Sequence, residues 1–82
     1  MADGREPYLV QVSSISTDGD GNPVLQKMWL NIYYITRICE ARNSERLYRF
    51  GARWYAILTN GIAVWVDDDD CEKLITNING SY

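Results

Sequence analysis

The stretch "WYAILTNGIAVWV", residues 54–66, decides how this chain folds. An Asn60-Gly61 pair between two apolar runs is the strongest short-range hairpin cue, because both central residues of a two-residue turn take positive φ. Read as such a turn, it sets Thr59 opposite Ile62, Ile57 opposite Val64 and Tyr55 opposite Val66. The other face then carries Trp54, Ala56, Leu58, Ala63 and Trp65, so the hairpin is apolar on both sides. One side can fill a core. The second is either covered within the chain or an exposed patch that signals association. Trp, Tyr and Arg dominate interface hot spots, so Trp54, Leu58 and Trp65 are the expected interface residues. The expected partner is a second copy, in a homo-oligomer, or another protein.

C-terminal to the hairpin, "DDDDCEKLITNING" (67–80) reads as a short helix over about 69–78. Asp69 can cap it, with Glu72 three residues on completing a capping box, and acidic residues suit the positive end of the helix dipole. Cys71, Leu74, Ile75 and Ile78 form one apolar stripe at helical spacing. Capping accounts for the aspartates better than a metal site does, since the sequence places no second carboxylate cluster to complete a shell.

N-terminal to the hairpin, residues 1–7 read as a flexible tail and 8–82 as one domain. "YLVQVSSIS" (8–16) and "VLQKMWLN" (24–31) read as strands, with Tyr8, Val10 and Val12 on one face of the first and Val24, Met28 and Leu30 on one face of the second. Between them, "TDGDGNPV" (17–24) opens like a calcium loop, with Asp18, Asp20 and Asn22 at alternate positions. Such a loop needs Gly at its sixth position and Glu at its twelfth, where this chain has Pro23 and Trp29. The stretch is read as a connector. "IYYITRICEA" (32–41) reads as a corner leading into a third strand, and "RNSER" (42–46) as a polar turn. "LYRFGARWYAILT" (47–59) reads as one long strand bent at Gly51.

These elements imply an α+β fold of about five antiparallel strands, as a small SH3-like barrel or curled sheet, with one C-terminal helix. At 82 residues such a domain buries only about 60–65% of its unfolded surface, and self-association is a common support at that size. There is neither an apolar signal core nor a membrane-length run, so a cytoplasmic protein that does not enter membranes is expected. Cys39 and Cys71 lack CxxC spacing and lie in apolar-patterned stretches, which favours buried thiols over a disulfide.

The chain contains no His, so a Ser or Cys nucleophile has no imidazole base. There is no phosphate-binding loop or dinucleotide fingerprint. A non-enzymatic protein is expected, with no cofactor, no metal and no catalytic residue. The net charge of -3 argues against a general nucleic-acid coat, yet it hides an asymmetry. Residues 37–53 hold five arginines against Glu40 and Glu45, a local +3 that leaves -6 for the rest. Guanidinium groups among aromatic rings suit phosphates and stacked bases. Arg42, Arg46, Arg49 and Arg53, with Tyr48 or Trp54 stacking, are therefore the expected binding residues for an anionic ligand, a nucleotide or single-stranded nucleic acid. A solvated basic rim above core aromatics is the plainer alternative. The second reading is a protein-binding regulator or inhibitor, of phage or mobile-element type, anchored by the Trp-bearing hairpin.

Leu30-Asn31, Ile35, Ile38, Leu58-Thr59-Asn60-Gly61 and the acidic helix start through Ile78 follow one another in an order that resembles small flagellar FlbD-like proteins. The resemblance covers roughly half the chain and implies a strand, a corner, a hairpin and a final helix. The first hairpin with "TDGDGNP" and the arginine-rich segment 42–53 depart from it. It implies no catalytic or ligand residue.

Overall fold

The Asn60-Gly61 hairpin forms in the computed structural model, which describes residues 9–80, but its loop has three residues, not two. Leu58 N–H donates to Ile62 O and Gly61 N–H to Leu58 O, both at 2.9 Å. Only Gly61 takes positive φ (+86°); Asn60 does not, and its Oδ1 accepts from Ile62 N–H at 3.0 Å. Most non-Gly residues pay roughly 1–2 kcal/mol in the left-handed region, Asn less and Gly least. The longer loop puts glycine alone there, as a type I turn followed by a glycine bulge does. Strands β4 (Trp54–Leu58) and β5 (Ala63–Val66) therefore pair with Trp54 opposite Val66, Tyr55 opposite Trp65 and Ala56 opposite Val64. That is one residue away from the two-residue reading, and a one-residue slip moves side chains to the other face.

The first hairpin repeats this loop. Strands β1 (Leu9–Thr17) and β2 (Pro23–Asn31) are antiparallel, with Val12 opposite Met28 and Ser13 opposite Lys27. Asp18 N–H donates to Asn22 O at 2.9 Å, Gly21 N–H to Asp18 O at 3.1 Å, and Gly21 has φ +83°. Asp18 Oδ1 accepts from Asp20 N–H at 2.9 Å and Asn22 N–H at 3.0 Å. Those bonds hold the Asp18 carboxyl below its usual range. The aspartate organises its own turn, as Asx residues do, and the stretch is a connector. The tail expected over residues 1–7, and the place of Tyr8 in the first strand, lie outside the described residues.

The corner forms as a short 3-10 helix, Ile32–Tyr34, capped by Asn31 Oδ1 on Tyr33 N–H at 2.9 Å. Strand β3 (Ile35–Glu40) follows and pairs antiparallel with β4, with an irregularity between Ile35 and Arg37. The sheets are β1-β2 and β3-β4-β5, curled over one core without closing into a barrel. The long bent strand expected over 47–59 does not form. Arg46–Phe50 is a second 3-10 helix, ended at Gly51 (φ +105°), and Ala52 N–H donates to Leu47 O at 3.2 Å. Local bonds of this kind satisfy the backbone of 46–50 without a sheet partner, and the strand begins only at Trp54.

Helix α1 spans Asp68–Gly80. Its cap is Asp67, not Asp69: Asp67 Oδ1 accepts from Asp70 N–H at 2.9 Å and its carbonyl from Cys71 N–H at 3.0 Å. This frees Asp70 to reach strand β1. Its Oδ2 accepts from Ser13 N–H at 2.8 Å, and Lys73 Nζ lies 3.3 Å from Oδ1. Cys71 and Leu74 are buried and Ile78 packs beside them, whereas Ile75 is exposed, so the apolar stripe is narrower than its spacing implied. They meet Val10 and Val12 of β1, Leu30 of β2 and Val64 and Val66 of β5. Among the described residues no helix is long and apolar enough to cross a membrane.

Candidate functional site

The hairpin register decides which aromatic residues face out. Trp54, Ala56 and Leu58 share a face with Val64 and Val66, and that face lies on the core. Trp54 is further tied down, its Nε1–H donating to Asp68 Oδ1 at 2.7 Å. Trp65 lies on the opposite face, across from Tyr55. The expected trio of Trp54, Leu58 and Trp65 is thus divided: two residues turn in and one turns out.

On the outward face of β3-β4-β5, Arg37 stands opposite Ile57, which stands opposite Ala63; Cys39 stands opposite Tyr55, which stands opposite Trp65. The Tyr55 and Trp65 rings lie 4.5 Å apart, tilted by 35°, an aromatic pair contributing about 0.5–1.5 kcal/mol beyond burial. Cys39, Tyr55, Ile57, Ala63 and Trp65 are half-buried, covered in part by one another, and Arg37 is exposed. Hydrogen bonding and electrostatic interaction with the neighbouring Cys39, then burial and the Glu45 charge, raise the Tyr55 hydroxyl above its usual value, with Arg37 opposing. Tyr55 is therefore neutral throughout the physiological range. The face is an apolar, ring-bearing centre with Arg37 and Glu45 at its rim.

The arginine segment does not converge. Arg53 Nη1 donates to Tyr48 O at 2.6 Å and Ala52 O at 3.2 Å, and its Cζ lies 3.9 Å from the Tyr48 ring centroid. That pair locks the second 3-10 helix onto the start of β4 and occupies one face of the ring expected to stack on a ligand. Arg49 lies over Phe50 at 4.8 Å, and Arg46 Nη2 donates to Thr17 Oγ1 at 3.3 Å. Arg42 is exposed, beside a shallow depression of about 530 Å³ whose wall also includes Glu40 and Tyr48. A second depression, of about 310 Å³, sets Arg53 among Asp67, Asp68 and Asp69. In both places carboxylates share the wall with the cation.

Both cysteines are free. Cys71 is buried, and burial followed by the Asp68 charge raises its thiol, which makes it a poor nucleophile despite its place in the first helical turn. Cys39, expected to be buried, is half-buried on the outward face. Among the described residues no group of three or more His, Cys, Asp or Glu is gathered as for a metal ion. Tyr55, Ile57, Ala63, Cys39 and Arg37 were absent from the expected site. They follow from the three-residue loop and its shifted register, which the Asn60-Gly61 pair allows but does not single out. No known protein family, curated protein or solved structure matches this chain.

Proposed function

We propose that this chain is a non-enzymatic cytoplasmic protein-binding module, a regulator or inhibitor, that takes its partner on the outward face of β3-β4-β5. The observation that carries this reading is the Tyr55–Trp65 pair at the centre of a face whose neighbours Cys39, Ile57 and Ala63 are apolar or weakly polar. With strands about 4.8 Å apart, the patch is the size of a hot-spot cluster rather than a whole interface. A rim must complete it, and Arg37 and Glu45 supply charges of both signs there. A balanced rim suits a protein partner better than a polyanion.

One observation favours the anionic-ligand reading. Arg46 and Arg49 are both exposed and sit three apart on a 3-10 helix, where such positions eclipse, although the Arg46 guanidinium bonds Thr17 and that of Arg49 lies over the Phe50 ring. The two readings separate by salt. The chain serves as immobilised bait beside a Trp65→Lys variant, at an outward position, whose folding is checked by circular dichroism. Partner proteins retained by the parent chain and lost with Trp65→Lys, at low and high salt alike, are the expected result. A single-stranded oligonucleotide that binds in low salt, weakens steeply as salt rises and is lost with Arg46→Ala and Arg49→Ala would overturn it in favour of the arginine pair.

A further inference from the structure

Four strand edges in this fold meet something other than a paired strand, and three of them are protected. The far edge of β1 is closed by Asp70, which takes Ser13 N–H at 2.8 Å. The far edge of β5 lies against β1. The far edge of β3 is short, interrupted between Ile35 and Arg37, and bears the exposed charges Arg37 and Glu40. The far edge of β2 is different. It is nine residues long, pairs with β1 alone among the described residues, and is exposed continuously from Pro23 to Lys27. Leu25 is 68% exposed and Val24 37%. A long, apolar, uncovered edge is a template for another strand.

The ladder dictates which groups that template offers. Asp18 N–H bonds Asn22 O, so by antiparallel alternation Val24, Gln26 and Met28 turn their backbone toward β1, and Leu25 and Lys27 turn theirs away. Ser13, opposite Lys27, agrees, because its N–H leaves the ladder for Asp70. The free edge therefore presents the N–H and C=O of both Leu25 and Lys27.

We infer that this edge pairs with the same edge of a second copy, making a four-stranded sheet in the order β1-β2-β2-β1 about a two-fold axis at Gln26. The occupant follows from the strand's own pattern. An axis perpendicular to the sheet must pass a residue, and there are four choices along the exposed stretch and the strand centre. At Leu25 it would set Pro23, which has no N–H, opposite the partner's Lys27 inside the ladder and leave that Lys27 C=O without a donor. At Lys27 it would set two ammonium groups directly opposite each other, which is destabilising. At Met28 it would draw in Leu30 and Asn31, where β2 enters the body: Leu30 is buried and Asn31 caps the corner. At Gln26 it sets each Leu25 against the partner's Lys27 stem and each Val24 against the partner's Met28. Pro23, which has no N–H, then falls at the end of the ladder, where proline is tolerated. Lys27 is the single charge on the strand, so nothing else in the pairing repels. This edge is separate from the Tyr55–Trp65 face, so self-pairing leaves that face free.

The test is amide exchange by NMR on the full chain, alongside light scattering over a dilution series. The expected result is a concentration-dependent dimer in which the Leu25 and Lys27 amides exchange as slowly as those of Gln26 and Met28, with that protection lost on dilution. Leu25→Pro removes a donor that faces away from β1, and it should weaken the dimer at least about tenfold while keeping the monomer's circular dichroism. Gln26→Cys should form an intermolecular disulfide faster than Lys27→Cys. A chain that stays monomeric at millimolar concentration, or a dimer whose Leu25 and Lys27 amides exchange freely, would overturn the inference. So would faster cross-linking of Lys27→Cys, which moves the axis. A monomer that protects these amides only with an excess of an unrelated extended peptide would assign the edge to a foreign strand instead.

Discussion

The two hairpins share one loop and have opposite fates. Asp18 to Asn22 and Leu58 to Ile62 both close over three residues, with a glycine at φ +83° in the first and +86° in the second, and a side-chain oxygen accepting from a loop-end amide. Yet β4 and β5 bury one face against the helix and the first hairpin, whereas β2 leaves its edge and much of its side-chain surface in solvent. The loop sets register, and burial is set by what else in the chain reaches the strands. The first hairpin meets the helix-side core through Val10, Val12, Leu30 and Met28, and Ile15 of β1 is buried nearer the loop; β2 itself is exposed from Pro23 to Lys27.

The sharpest way to test that difference is one residue type in two places. Leu74→Ala removes a fully buried side chain and should cost about 2–5 kcal/mol, whereas Leu25→Ala should change the monomer's stability by no more than about 0.5 kcal/mol. Urea denaturation of both, at a concentration where any dimer is dissociated, checks this. Comparable losses would mean that the first hairpin is as integral to the core as the helix.

The shared loop makes the opposite prediction, of equality. An added Cβ meets nothing within 4 Å at Gly21 or at Gly61, so only backbone strain distinguishes glycine from alanine. Gly21→Ala and Gly61→Ala should each cost roughly 1–2 kcal/mol. A cost at Gly61 alone, in thermal melts, would show that the first hairpin can open its loop without unfolding the domain.

The smallest effect is electrostatic. The Asp18 carboxyl titrates below its usual value of 3.8 because it accepts backbone N–H bonds in the loop. A depressed folded value means that the contribution is present above the unfolded value and is lost as pH falls through the folded one. NMR shifts of Asp20 and Asn22 amides should therefore change below pH 3.8 while the Asn60 loop, whose amide side chain does not ionise, stays unchanged. Simultaneous movement of both loops would mean global unfolding.

Much of the fold is legible in the residues because the forces that punctuate it are short-ranged. Asn60-Gly61 and Asp18 to Asn22 are turns by their own chemistry, Asn31 marks the corner, and the acidic run starts a helix. These act over four or five residues and need no partner. The alternation of apolar residues, likewise, was enough to indicate five antiparallel strands and one helix. What was not legible is of two kinds. Leu47, Tyr48 and Phe50 fit an extended pattern as well as a 3-10 one, and contacts outside the segment accompany the 3-10 form: Arg53 on Tyr48 and the buried Ala52. The four aspartates all suit a helix start, so which one caps it was settled by where Asp70 could reach Ser13.

The outward face is the clearest case of what tertiary structure decides. Sequence alone determined that residues 54–66 form a hairpin apolar on both sides. It did not determine the register, because loops of two and three residues use the same Asn-Gly pair, and they differ by one position that exchanges the two faces. The arginines likewise cluster in sequence, but their guanidinium groups are distributed by bonds to Tyr48, Thr17 and the Phe50 ring. Turns and caps follow from the residues that make them. Which surface faces the solvent depends on long-range packing, which no local run of residues contains.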